Sequence, residues 1–76
     1  MRIHGVVTKV IFSNGYAFVR DENRQSRFVY AKDVEPVADF DMLHEGQRVS
    51  FEPHGTLNTD PEAKNNGLRA LKVRVC

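Results

Sequence analysis

The sequence predicts an all-β fold, a five-stranded antiparallel barrel with Greek-key connections. Three observations lead to it: five short segments have strand character, turn-forming residues separate them, and no segment shows the period of an amphipathic helix. With no helix to cover a sheet, five strands hide their edges best by closing on themselves. The economical closed arrangement is the OB-fold barrel, and we expect that fold.

The five predicted strands are rich in Val, Ile, Phe and Tyr, which favour extended backbone. They cover residues 3–12, 16–20, 27–30, 47–52 and 68–75. Residues 13–15 mark the turn after the first strand, and Pro53 is expected to end the fourth. In the fifth strand Leu71, Val73 and Val75 take alternate positions, as the buried face of a strand does.

Two connections are long for so small a domain. Residues 31–46 are predicted to be irregular, and residues 55–66 form an enlarged loop rich in turn-forming residues. Within that loop, residues 60–63 have the chemistry of a helix start, because Asp60 can cap and Pro61 suits the first helical position. One short helical turn is therefore expected there.

Length and composition favour a single cytoplasmic domain covering residues 1–76. The apolar content of 41% is too high for a disordered tail. The single cysteine, Cys76, cannot form an internal disulfide, which favours a reducing compartment. No apolar run approaches the length of a membrane span, and the first residues lack the apolar stretch of a secretion signal. We expect neither a membrane partner nor a membrane anchor.

Charge is distributed unevenly although the net charge is only +1. Residues 1–32 carry six basic and two acidic groups, and residues 64–76 carry four basic groups and no acid. Residues 33–63 carry eight acids and one basic group, Arg48. If both basic ends fold onto one face, that face attracts phosphates. The alternative is an ordinary mixed surface.

Large rings and small aliphatic side chains separate onto opposite faces of the second and third predicted strands. The rings are Tyr16, Phe18, Phe28 and Tyr30. The aliphatic side chains are Ala17, Val19 and Val29. Because a small barrel has one interior and the aliphatics suit it, the rings are predicted to point outward, where nucleic-acid bases can stack on them. The alternative is that the rings form the core.

Basic residues flank these strands and suit a phosphate backbone that passes over the rings. They are Lys9, Arg20, Arg27 and Lys32. The sequence therefore predicts binding of single-stranded RNA or DNA by stacking and charge.

Five segments, in order, resemble motifs of the cold-shock and Y-box family. They are Gly-Val-Val at 5–7, Asn-Gly-Tyr-Ala-Phe-Val at 14–19, Phe-Val-Tyr at 28–30, Leu-His-Glu-Gly-Gln-Arg-Val-Ser-Phe at 43–51 and Gly-Leu-Arg-Ala-Leu-Lys-Val at 67–73. The resemblance covers nearly the whole chain. It implies an OB-type barrel that binds single-stranded nucleic acid and acts as a nucleic-acid chaperone or a regulator of gene expression.

The resemblance also implies roles for individual residues. Tyr16, Phe18 and Phe28 match the stacking aromatics of the family, and Tyr30 stands where histidine is usual. Phe40 falls where many members place another stacking ring, and Arg69 is expected to touch phosphate.

Some positions depart from the family pattern. Lys9 stands where tryptophan is usual, so one strong stacking surface is replaced by a charge. The loop at 55–66 is several residues longer than is typical of the family. Both departures predict weaker binding or altered base preference.

The rival interpretation is a protein-interaction or dimerisation module whose aromatic face or enlarged loop docks a partner. We expect a monomer, with a strand-swapped or Cys76-linked homodimer as the alternative. Catalysis is not expected, because no nucleophile has an evident base and His4, His44 and His54 lack metal-ligand spacing. No cofactor or metal is predicted.

Overall fold

The computed structural model describes residues 1–62 and 66–76. These residues form five strands: β1 (Ile3–Ile11), β2 (Tyr16–Asp21), β3 (Ser26–Tyr30), β4 (Arg48–His54) and β5 (Arg69–Val75). Short 3-10 helices cover Phe12–Asn14, Ala31–Asp33 and Val37–Met42. None of the helices in the described ranges has the length and apolar character needed to cross a membrane.

The strands close into a barrel in the order β1-β2-β3-β5-β4, with β4 pairing back onto β1. The predicted five-stranded OB-type barrel is therefore confirmed. Its wholly antiparallel pairing is wrong in one place, because β3 and β5 run parallel where Phe28 lies beside Arg69. An odd number of strands cannot alternate direction all the way around a closed ring, so at least one neighbouring pair must be parallel.

Small aliphatic side chains and the Phe51 ring fill the barrel, and Ala17, Val19 and Val29 are among them, as the sequence predicts. The strand residues of the core are Val7, Ala17, Val19, Val29, Val49, Phe51, Ala70 and Val73. Along β2, buried Ala17 and Val19 alternate with the more exposed Tyr16, Phe18 and Arg20. The alternative in which the rings form the core is excluded by this pattern.

A bulge in β1 decides which of its side chains face outward. Val7 pairs with Val19 on β2, but the next pair joins Lys9 to Phe18, so Thr8 is an extra residue. Paired residues share a face of the sheet. The bulge therefore places Lys9 beside Phe18 on the outside.

A second irregularity changes the phase of β5. The β4–β5 register shifts between Ser50 and Glu52, and Lys72 has a positive φ of 50°. As a result Ala70 and Val73 are buried, whereas Leu71 is only half-buried. The strict alternation predicted for the fifth strand is wrong for this reason.

Pro53 does not end β4, in contrast to the prediction. It pairs with Ala70, and the strand continues to His54. A proline near the end of a strand removes one backbone donor without disturbing the preceding pairs.

The enlarged loop begins as irregular chain and contains a turn at Pro61 and Glu62. The Asp60 carboxylate accepts a hydrogen bond of 2.9 Å from the Glu62 amide, which is the capping contact the sequence suggests. The predicted helical turn includes Ala63, which lies outside the described residues.

Candidate nucleic-acid interface

Four aromatic rings stand side by side on the outer surface of β2 and β3. The strand register places Tyr16 opposite Tyr30 and Phe18 opposite Phe28. Tyr30 is 42% exposed, and the other three side chains are half-buried. We call this surface, formed by Tyr16, Phe18, Phe28 and Tyr30, the aromatic face. The prediction that these rings point outward is confirmed.

The rings pack against one another rather than standing alone. Ring centroids are 5.4 Å apart for Phe18–Phe28, 4.9 Å for Tyr16–Phe28, 4.5 Å for Phe28–Tyr30 and 5.7 Å for Tyr16–Phe18. Phe28 touches the other three, so it lies at the centre of the cluster. Mutual contact of this kind holds each ring in place before any ligand arrives.

Residues of β1 and β2 extend the aromatic face. Lys9 lies beside Phe18, and Ile11 lies beside Tyr16. Arg20 follows Phe18 on the outer face of β2. Sequence analysis missed Ile11, because only the bulge at Thr8 brings it to the outside. Together these residues add an apolar side chain and two cations to the border of the rings.

Three of the predicted cations are exposed at this border. Lys9, Arg20 and Lys32 form no ion pair within the part of the chain that the structure describes. The Lys32 ammonium lies 5.7 Å from the centroid of the Tyr30 ring. Their charges are therefore free to attract an anion.

The structure corrects the placement of Arg27: predicted as a cation flanking the rings, it does not belong to the aromatic face. It shares the inner side of β3 with Val29, and its side chain is only 12% exposed. Its Nε donates to the Asp21 carboxylate at 2.8 Å, and its Nη1 donates to the Arg69 carbonyl at 3.0 Å. Arg27 therefore links the Asp21 carboxylate to the backbone of β5.

Asp21 anchors the turn between β2 and β3. Its carboxylate accepts hydrogen bonds from the amides of Asn23 and Gln25, at 2.8 and 2.9 Å, besides the one from Arg27. Burial raises the pKa of Asp21, but the hydrogen bonds from Gln25, Arg27 and Asn23 together outweigh it and hold the pKa below its ordinary value. The ionised carboxylate is thus a structural group of this turn.

Arg69 lies against the aromatic face but is already engaged. Its guanidinium carbon is 4.8 Å from the Tyr30 centroid, and its Nη2 donates to the Asp33 carboxylate at 2.9 Å. This cation–π contact covers part of Tyr30. Phosphate contact by Arg69, which the family resemblance implies, would compete with Asp33.

The prediction of Phe40 as a stacking ring is corrected by the structure. It belongs to the 3-10 helix Val37–Met42 and is 4% exposed, packed into the core. Phe40 and Leu43, both from the long connection between β3 and β4, belong to the hydrophobic core cluster. A ring so deeply buried has no face open to a base.

Phe12 is exposed, although sequence analysis did not single it out as a site residue. Its side chain is 54% exposed, and its ring meets Phe40 edge-on with centroids 5.9 Å apart. It follows β1 directly, in the 3-10 turn that Gly15 ends. The turn signal in residues 13–15 locates the bend but gives no indication of where the Phe12 ring points.

The two basic ends of the chain do not form one free basic surface. On β5 and its flank, three cations pair with acids of the middle segment: Arg69 with Asp33, Lys72 with Glu52 and Arg74 with Glu35, at 2.9 to 3.3 Å. Among the residues that the structure describes, the fold therefore neutralises these three C-terminal charges locally. The unpaired cations of the aromatic face come from residues 9–32.

The sequence matches no protein-family model and no curated protein.

Proposed function

We propose that this domain binds single-stranded RNA or DNA by stacking bases on the aromatic face. The observation that carries the proposal is that four rings on two adjacent strands share the outer surface of a closed barrel. An exposed ring cluster is costly to leave in water and needs a partner with apolar faces. Bases provide such faces whatever their identity.

The energetics suit a transient binder. Each stacked base contributes about 1–3 kcal/mol, and Arg69 already covers part of the Tyr30 ring. Ordering a flexible strand removes much of that gain. We expect a micromolar Kd, which corresponds to a binding free energy of about −8 kcal/mol.

The unpaired cations support the same ligand. Lys9 and Arg20 border the rings on β1 and β2, and Lys32 lies beside Tyr30. A phosphate backbone that follows this border gains counterion release at each contact. A neutral apolar ligand would gain no binding energy from these charges.

The resemblance to cold-shock and Y-box proteins favours the same biological role. The domain would act in the cytoplasm as a nucleic-acid chaperone or a regulator of gene expression, binding without chemistry. Lys9, at the position where that family usually has tryptophan, lowers the expected affinity.

An NMR titration with oligo-dT and oligo-U tests the proposal. We expect the amide signals of Tyr16, Phe18, Phe28 and Tyr30 to shift with a micromolar Kd, while those of Lys72 and Arg74 on β5 stay in place. Duplex DNA of equal length is the control, because its bases are not free to stack. Shifts confined to the side of the barrel away from the rings, or no shifts at millimolar ligand, contradict the proposal.

A protein-interaction or dimerisation surface is the second candidate. Phe12, Val37 and Met42 are exposed apolar side chains, and the Phe12 ring contacts Phe40, which lies in the same 3-10 helix as Val37 and Met42. A pull-down before and after nuclease treatment separates the two functions, because only a protein partner survives the nuclease. Light scattering tests the dimer.

A further inference from the structure

Two arginines flank one exposed valine in a row that crosses three strands. Val6 on β1 pairs with Arg20 on β2 and also with Arg48 on β4. All three side chains point outward, since their neighbours Val7, Val19 and Val49 are buried in the barrel. Strands lie about 4.8 Å apart, so the two arginine Cα atoms are separated by about 10 Å.

A groove of about 440 Å³ runs along this row. His4, Val6, Arg20, Glu22 and Arg48 are among its lining residues. Val6 is 38% exposed at its floor, a position where the apolar stems of the arginines can lie. The groove joins the aromatic face, because Arg20 follows Phe18 on the outer side of β2.

The acidic side chains of the groove have hydrogen-bond or ion-pair partners, whereas its described arginines form no ion pair. The Glu22 carboxylate accepts the His4 amide at 2.9 Å and lies 3.5 Å from the His4 ring. Asp21 is held by Arg27 and two backbone amides. Across residues 1–62 and 66–76, neither Arg20 nor Arg48 forms an ion pair. Two unpaired guanidinium groups that face one groove are suited to a phosphate, which accepts planar, paired hydrogen bonds.

We propose that Arg20 and Arg48 bind a backbone phosphate of the nucleic acid, and that the strand leaves the aromatic face over Val6 and continues onto β4. This inference rests on the proposed function and extends its site from three strands to four. Arg48, the one cation of the acidic segment 33–63, then has a role that sequence patterning does not suggest. The proposed site is also longer than the aromatic face alone, because nucleotides beyond those stacked on the rings contact the protein.

The test compares oligo-dT of four and eight nucleotides, measured by fluorescence anisotropy with the native protein and with Arg48→Gln. The native protein is expected to bind the longer strand more tightly. The substitution should weaken binding of the eight-nucleotide strand by roughly fivefold, as expected for one charge-assisted phosphate contact. Its salt slope should fall by about 0.7, the value for one phosphate on a single strand. Binding of the four-nucleotide strand should stay the same.

Arg74→Gln is the matched control. It removes the same charge from β5, where Arg74 is exposed and already paired with Glu35. It should change neither affinity nor salt slope. If it weakens the longer strand as much as Arg48→Gln does, the effect is one of net charge and the inference is overturned.

The outcomes separate this inference from the proposed function. If native protein binds both strands and Arg48→Gln binds each as tightly as native protein does, the groove is not a phosphate site. The proposed function of the aromatic face is then unaffected. If native protein binds neither strand, both proposals fail. Circular dichroism of each variant shows that the barrel is intact.

Discussion

Phe18 on β2 lies directly opposite Phe28 on β3, with the ring planes perpendicular and the centroids 5.4 Å apart. This edge-to-face contact contributes about 1 kcal/mol beyond the area that the rings bury. It also fixes both rings on the outside of the barrel, because their strand neighbours Ala17, Val19 and Val29 are fully buried. The same pair therefore stabilises the sheet and prepares a surface for stacking.

Substitutions of Phe40 and Phe28 should have different effects, the first on stability and the second on binding. Phe40→Leu shrinks a buried core side chain and is expected to lower the free energy of unfolding by about 1 kcal/mol, without changing affinity for oligo-dT. Phe28→Leu removes the central ring of the aromatic face and should weaken binding about tenfold. Urea denaturation and fluorescence anisotropy measure the two quantities. A folded Phe40→Leu protein that binds tenfold more weakly would place Phe40 in the interface and contradict its assignment to the core.

Lys9→Trp should create a stronger site. The β1 bulge places position 9 beside Phe18 on the outer surface, so an indole there adds a stacking ring. We expect affinity for oligo-dT to rise about tenfold, since stacking outweighs one lost phosphate contact. The native chain has no tryptophan, so quenching of the new fluorescence on binding reports the stacking directly. Ser13→Trp, in the exposed turn after β1, is the control and should show no quenching. Unchanged affinity and unquenched emission for Lys9→Trp would count against the assigned path.

Asp21 should make folding stability sensitive to acid. Its pKa is lower in the folded protein than the ordinary value, because its bonds to Gln25, Arg27 and Asn23 outweigh the effect of burial. The stabilisation is therefore complete above the ordinary aspartate pKa of about 4 and is lost as pH falls through the folded value. Asp21→Asn should cost about 3 kcal/mol at pH 7, as expected for a broken buried pair.

The difference in unfolding free energy between native protein and Asp21→Asn should stay constant from pH 7 to about 4 and shrink below it. Urea denaturation across that range measures it. Glu22→Gln, at the exposed neighbouring acid, should change stability by less than about 0.5 kcal/mol. A difference that grows on acidification would reverse the sign and refute the account of Asp21.

Gly5→Ala should destabilise the barrel. A Cβ at position 5 would lie 2.6 Å from the Arg20 carbonyl oxygen and 3.0 Å from the Phe51 ring. Because the first neighbour is backbone and cannot move aside, we expect a loss of about 2 kcal/mol. His4→Ala, one residue earlier and exposed, is the control. Thermal unfolding measures both, and equal Tm values for the two variants would show that the close approach is not required.

Much of the fold follows from local patterns in the sequence. The alternation of Tyr16, Ala17, Phe18 and Val19 determines which side chains face the core, and the structure confirms that assignment. The same alternation places Arg27 with Val29 on the inner side, so its prediction as a surface cation ignored the strand period.

Other features depend on contacts between distant residues. The bulges at Thr8 and Lys72 arise where neighbouring strands adjust their register, and no local signal marks them. Phe40 is buried because the connection from β3 to β4 packs it into the core cluster. Arg48 meets Arg20 only through two successive pairings of Val6. Long-range packing of this kind cannot be read from residue types alone.

The most direct test of the aromatic face is the affinity of the double mutant Phe18→Ala, Phe28→Ala for oligo-dT. The control, Val37→Ala with Met42→Ala, removes exposed apolar side chains that belong to the 3-10 helix Val37–Met42 and not to the aromatic face. NMR spectra verify that both proteins are folded. We predict that the ring mutant loses at least about a hundredfold in affinity and that the control binds like the native protein. A folded ring mutant that binds oligo-dT undiminished would contradict the assignment of this surface as the nucleic-acid interface.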